Sequence, residues 1–175
     1  MHFSEPILQY VQYALLAVTV IAAAIIDLRE RRIPNLLTFP AIAAFLALHT
    51  IQGGLDGLLF SLAGLGAGFS VLMAAYLMKL MGAGDVKLFA AIGACLGVTP
   101  LLTIFLFTSI AGGLHFTLVI LYERMKASRR STPQSQDQAA SKAGARMSYG
   151  LAIAVGTLGA VGLHLLAGFE YIRFF

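Results

Sequence analysis

Two acids stand where an oily chain has little reason to keep them. Asp85 sits in "KLMGAGDVKLFAAIG" (79–93), flanked by Gly82 and Gly84, and from Leu88 to Tyr122 no Asp, Glu, Lys or Arg follows it. Asp27 comes directly after "AAAII", at the end of an earlier apolar run. The remaining acids have simpler settings. Asp56 lies in the turn "GGLDG", Glu30 among arginines, and Glu5, Glu123, Asp137 and Glu170 in terminal or loop segments. Ionisable groups at the edge of an apolar bundle are expensive to keep and usually mark a site.

Two carboxylates sharing a poorly hydrated pocket cannot both ionise cheaply, because each charge raises the pKa of the other and burial raises both. One proton is then shared, leaving a neutral acid beside a charged base. The base can take a proton from water while the acid polarises a carbonyl, which amounts to peptide hydrolysis without a metal or covalent nucleophile. Gly82 and Gly84, lacking Cβ, would let a substrate backbone come close. Taken alone, the residues leave blander readings open. Asp85 could cap a helix, Asp27 could belong to a surface cluster with Arg29, Arg31 and Arg32, and the glycines could simply make a turn.

Other chemistries find no support. The chain contains no His-Glu-x-x-His zinc motif, no Gly-x-Ser-x-Gly nucleophile elbow and no Walker-type phosphate loop. His2, His49, His115 and His164 are scattered, and read as packed or interfacial residues. Cys95 has no base beside it and reads as a small core hydrophobe; a single cysteine excludes an internal disulfide or a Cys-rich zinc site. No metal and no cofactor are expected.

The elements that must position the two acids follow from composition. Hydrophobic residues make up 59% of the 175 and charged ones 11%, against roughly 45–50% and 25% in soluble proteins. The charge-free stretches 6–26, 33–55, 57–78, 88–122 and 147–169 are each long enough for a spanning helix. The expected fold is therefore an all-α, polytopic membrane protein forming a single domain, 1–175. The leading "MHFSEP" lacks Lys and Arg, so 7–26 reads as a retained first span rather than a cleaved signal.

Charge distribution sets the topology. Arg29, Arg31 and Arg32, then Lys79 and Lys87, then the basic residues of 123–147 form three clusters that should share the cytoplasmic face. This accounts for the net charge of +4 without nucleic acid. The stretch 88–122 must then cross an even number of times, and "GVTP" (97–100) supplies the break. The sequence thus predicts about six transmembrane helices, near 7–26, 36–52, 57–78, 86–97, 100–122 and 149–168, with both termini extracytoplasmic. A re-entrant hairpin at 88–122, leaving four spans, is the other possibility. Residues 123–147 read as a flexible basic cytoplasmic loop, with anionic lipid as a possible contact. Gly64-x-x-x-Gly68 and Gly93-x-x-x-Gly97 are spacings suited to close helix packing.

At this point the chain resembles a known family, the type IV prepilin peptidases, membrane aspartic proteases of the Gly-x-Gly-Asp type. "DLRERRIPNLLTF" from Asp27 resembles the family's first-aspartate loop, "GAGDVKL" its Gly-x-Gly-Asp-x-Lys signature, and "YGLAIAVG" from Tyr149 the motif opening its last helix. The resemblance implies that Asp27 and Asp85 are the catalytic pair. It implies that Pro34 and Asn35 shape the first loop, that Lys87 orients or tunes Asp85, and that Tyr149 and Gly150 help form the site. It further implies a prepilin or pseudopilin precursor as substrate, a short basic leader followed by a hydrophobic helix, cut at the cytoplasmic face of a bacterial inner membrane. Larger members carry an N-terminal cytoplasmic region with paired cysteines and also methylate the new N-terminus. This chain has neither those cysteines nor the room for that region, so peptidase activity alone is expected; its short form looks like the peptidases of tight-adherence (Flp) pilus systems or of archaeal flagellin-type systems, the former favoured by the "YGLAIAVG" motif. A small proton- or cation-coupled transporter using the same aspartates is the alternative, although carrier acids normally lie near mid-membrane.

Overall fold

The computed structural model describes residues 5–79, 81–128 and 149–167, and within them all regular structure is helical. Five elements follow one another: α1 (Glu5–Glu30), α2 (Asn35–Leu77), α3 (Ala83–Leu96), α4 (Leu101–Ser128) and α5 (Tyr149–Ala167). Four of these, all but α3, are long and apolar enough to cross a membrane, where the sequence predicts about six crossings. The difference has two sources. α2 holds 43 residues, more than one crossing needs, and α3 holds 14, fewer than the ~17 at the short limit.

α2 is not one straight rod. Gly54 inside it has φ 59 and ψ −130, a conformation outside the helical region that costs little only without a Cβ. The contacts on either side reveal a reversal. Asn35 meets Lys87 and His49 meets the Cys95 carbonyl, so residues 35–53 run alongside α3 in the same direction. Ser61 meets the Ala94 carbonyl and Gly68 lies against Phe89, so residues 55–77 run back against it. The predicted turn "GGLDG" is therefore present as a reversal centred on Gly54.

α3 is gripped between these two arms, and from Leu88 to Gly97 it is buried on every side. The grip is possible because the crossing residues lack side chains. A Cβ on Gly64 would collide with the carbonyl of Gly93, and one on Gly93 with the carbonyl of Gly64. A Cβ on Gly68 would come within 2.6 Å of the Phe89 carbonyl oxygen. In lipid, where no hydrophobic force separates helix from solvent, such close backbone contact supplies the packing energy. Two buried side chains of α2 bond to the backbone of α3 along this seam: the Ser61 hydroxyl donates to the Ala94 carbonyl at 2.7 Å, and His49 Nε2 donates to Cys95 O at 2.8 Å. Cys95 itself is fully buried in the core.

α3 ends at Gly97, whose φ of 79 again suits glycine and whose α-carbon side faces the Phe60 ring. Pro100 then starts α4, its carbonyl accepting the Ile104 N–H at 2.9 Å. α4 returns toward the aspartates and packs antiparallel to α5, with Gly112 against Ala152, Thr108 against Gly156 and Phe107 against Gly159. α4 continues to Ser128, so the first residues of the expected 123–147 loop are helical. Residues 129–148, which hold the rest of that loop, lie outside the described residues, as do 1–4 and 168–175 at the termini.

Candidate active site

Asp27 lies in the last turn of α1, and the way that helix ends decides where the carboxylate goes. The Arg31 N–H donates to the Asp27 carbonyl at 2.9 Å, and Arg31 then turns left-handed, with φ 54. The chain reverses within residues 31–34. Pro34, at φ −72 and ψ 143, precedes α2, and its carbonyl accepts the Leu37 N–H at 3.1 Å. Proline suits this place because its missing N–H would have no helical partner. Between Arg32 and Pro34, Ile33 is buried, and it docks on Gly84. A Cβ there would lie 3.0 Å from the Ile33 Cβ and 3.2 Å from its carbonyl oxygen. This contact seats the first loop on the start of α3, which brings the end of α1 beside Asp85. Gly84 therefore faces the protein's own loop.

Asp85 is 8% exposed and occupies the first turn of α3, outside the four long spans. Gly82, not Asp85, is the N-cap. The Gly82 N–H donates to Asp85 Oδ2 at 3.0 Å, and the Asp85 N–H donates to the Gly82 carbonyl at 3.2 Å. Burial pushes the Asp85 carboxyl up to about 6; the Gly82 hydrogen bond opposes the rise and the charge of Asp27 adds to it. The charge of Asp27 therefore reaches Asp85. A Cβ on Gly82 would stand 3.3 Å from Asp85 Oδ2.

Asp27 is 7% exposed. Its Oδ2 accepts the Gly150 N–H, from the first turn of α5, at 2.9 Å. The approach is so close that a Cβ on Gly150 would lie 2.9 Å from both the Cβ and Oδ2 of Asp27. The neighbouring residue, Tyr149, is half-buried and lies within electrostatic reach of Asp85. The start of α5 thus closes over both acids, and the structure brings together Asp27, Asp85, Gly82, Tyr149 and Gly150.

Lys87 takes a different place from the one the resemblance implies. Its ammonium donates to Asn35 Oδ1 at 2.8 Å and lies 5.1 Å from the centre of the Phe39 ring. It thereby ties α3 to the first turn of α2, with Asn35 as the other half of the strut. The sequence reading gives Ile33 no role of its own, although it opens the Ile-Pro-Asn stretch of the first-aspartate loop and is the sole apolar residue between "RERR" and Pro34. Among the described residues no three His, Cys, Asp or Glu side chains gather in a way that could hold a metal ion. A groove of about 390 Å³ opens beside Tyr149, between α4, α5 and the returning arm of α2.

Comparison with known proteins places this arrangement. A family model described as the type IV leader peptidase family matches residues 14–117, more than half of the chain and including both aspartates. A protein named prepilin leader peptidase/N-methyltransferase, from Bacillus subtilis (strain 168), is 37% identical over 116 residues. That match covers 65% of this chain and 46% of the relative, so the chain spans less than half of the relative's length. No solved structure matches.

Proposed function

Because the chain belongs to the type IV leader peptidase family, we propose that it is an aspartic endopeptidase of a bacterial inner membrane, acting on prepilin or pseudopilin precursors. It would remove their short basic leader at the cytoplasmic face. The observation that carries the reading is the pair of buried carboxylates, Asp27 and Asp85, held by separate helices and close enough for one charge to act on the other.

In this mechanism Asp85 carries the shared proton and Asp27 is the base. Burial, with the charge of Asp27 adding to it, favours the neutral form of Asp85. Water between them gives a proton to Asp27 as its oxygen attacks the scissile carbonyl carbon, while Asp85 hydrogen-bonds and then protonates the carbonyl oxygen. The tetrahedral diol collapses, the C–N bond breaks, and the proton held by Asp27 goes to the departing nitrogen. Asp85 recovers its proton as the carbonyl reforms. Nothing covalent joins enzyme and substrate. The Gly150 N–H fixes the Asp27 carboxylate and the Gly82 N–H fixes that of Asp85, so neither must be oriented during the reaction.

The same reading assigns six passes, with the two arms of α2 counted separately and residues 86–97, beyond Asp85, as the short one. The basic loops at 29–32 and 79–87 and the segment 123–147 then face the cytoplasm, and both termini the other side. The test is cleavage of a leader-bearing precursor by the purified protein in detergent. Asp27→Asn and Asp85→Asn should each lower kcat/KM by about 10²–10⁴-fold, the usual worth of a positioned general acid or base, with helical content unchanged. Near-normal turnover in either variant would remove the dyad mechanism.

A further inference from the structure

The groove beside Tyr149 is not used by the chemistry just described, yet it starts where the chemistry happens. α4 lines it from Phe105 to Phe116, a length of about 16 Å. Leu72 and Met81 form one wall, Gly112 and Gly113 lie along α4, and Tyr149 closes one end. The antiparallel register of α4 and α5 gives the groove a direction. Gly112 meets Ala152 and Thr108 meets Gly156, so Phe116 lies at the depth of Tyr149 and Phe105 lies roughly three helical turns farther from the aspartates. No lining residue carries a charge. Gly113 faces open space, with no heavy atom within 4 Å of where its Cβ would be.

An apolar channel set between spanning helices can be filled there only by something that satisfies its own backbone, namely an α-helix or an acyl chain. Small residues along α4 admit the backbone of a partner helix. An acyl chain gains nothing from such residues, nor from ending at a pair of carboxylates. We propose that this groove seats the apolar helix of the substrate, with the end nearest the scissile bond at Tyr149. This rests on the peptidase reading and adds to it a recognition element: the enzyme would select a precursor by the helix beyond the cut as well as by its leader.

Two measurements test this together. In the first, single cysteines are placed at Ser109 and Gly113 in the groove, and at Val18 on the exposed face of α1 as control. Each variant is oxidised with a precursor carrying one cysteine in its apolar helix. Cys95 is fully buried and stays silent. Disulfides are expected from S109C and G113C and not from V18C. In the second, Gly113→Leu fills the groove without touching the fold, and cleavage is compared for the whole precursor and for a short peptide that lacks the helix. KM for the precursor should rise about tenfold relative to the peptide, equivalent to ~1.4 kcal/mol of lost docking.

Equal crosslinking from V18C, disulfides between two copies of the enzyme, or a KM ratio unmoved by Gly113→Leu would each overturn the groove assignment. Lipid as the occupant would show as no precursor crosslink from either groove cysteine, which also overturns it. Groove crosslinks to a precursor that the wild-type protein never cleaves would sink the peptidase reading and leave the docking site standing.

Discussion

Replacing Asp85 by Asn should make the protein more stable and destroy its activity in the same step. The carboxyl is raised from an ordinary 3.8 to about 6, chiefly by burial. At about 1.36 kcal/mol per tenfold change in proton affinity, that corresponds to ~3 kcal/mol. Its sign follows from which state binds the proton more tightly. The unfolded carboxyl ionises near 3.8 and the folded one near 6, so the native state holds the proton more tightly. The stability this contributes is complete below the unfolded value and is lost as pH rises through about 6. Above that, the folded protein carries a buried anion that Asn would not have, while an amide oxygen can still accept the Gly82 N–H. Reversible unfolding in mixed micelles, followed by helical circular dichroism, should show Asp85→Asn about 2–3 kcal/mol more stable than wild type at pH 7.5. The gap should close below pH 4. An equal gain at both pH values, or no gain at 7.5, would refute the account of Asp85 as a carboxyl buried at a cost. Functional sites commonly hold such strain because activity needs it.

The remaining expectations follow from the same geometry. If Asp85 must be protonated to act, kcat/KM should fall about tenfold per pH unit above a limb near 6, and a profile flat to pH 8 would assign the acid elsewhere. Gly150→Ala should cost about 10–100-fold in kcat with the bundle intact, since the added methyl sits on the Asp27 carboxylate and displaces its donor; unchanged kcat would show that α5 does not hold the base in place. Gly93→Ala should lower stability by at least about 3 kcal/mol, the upper range for overpacking, because the obstacle is the Gly64 backbone and cannot rotate away; equilibrium unfolding measures it, and a loss under 1 kcal/mol would mean the α2–α3 seam is looser than it looks.

Several features were legible in the residues alone because they arise from local physics. Long charge-free runs must become helices in lipid, since no other open structure satisfies its backbone there. Gly97 and Pro100 break a run that is otherwise continuous. Asp27 and Asp85 stand out by charge, and no contact needs to be known to single them out. Even the glycine spacings at 64–68 and 93–97 carried information, although nothing in the sequence says that Gly64 is matched with Gly93.

Tertiary structure decided the rest. Lys87 is two residues from Asp85, and a sequence reader pairs the two; on a helix, residues i and i+2 point to different sides, so Lys87 reaches Asn35 across the bundle. Gly84 looks like room for substrate, but Ile33 fills it, from a loop 51 positions earlier in the chain. Gly150 meets Asp27 across 123 positions, through a backbone N–H that every residue but proline possesses. The residue types therefore announce which groups can do chemistry. Which of them meet depends on helix register and on where a missing Cβ lets backbones touch, and both are properties of the assembled bundle, since each contact joins segments that no local pattern connects.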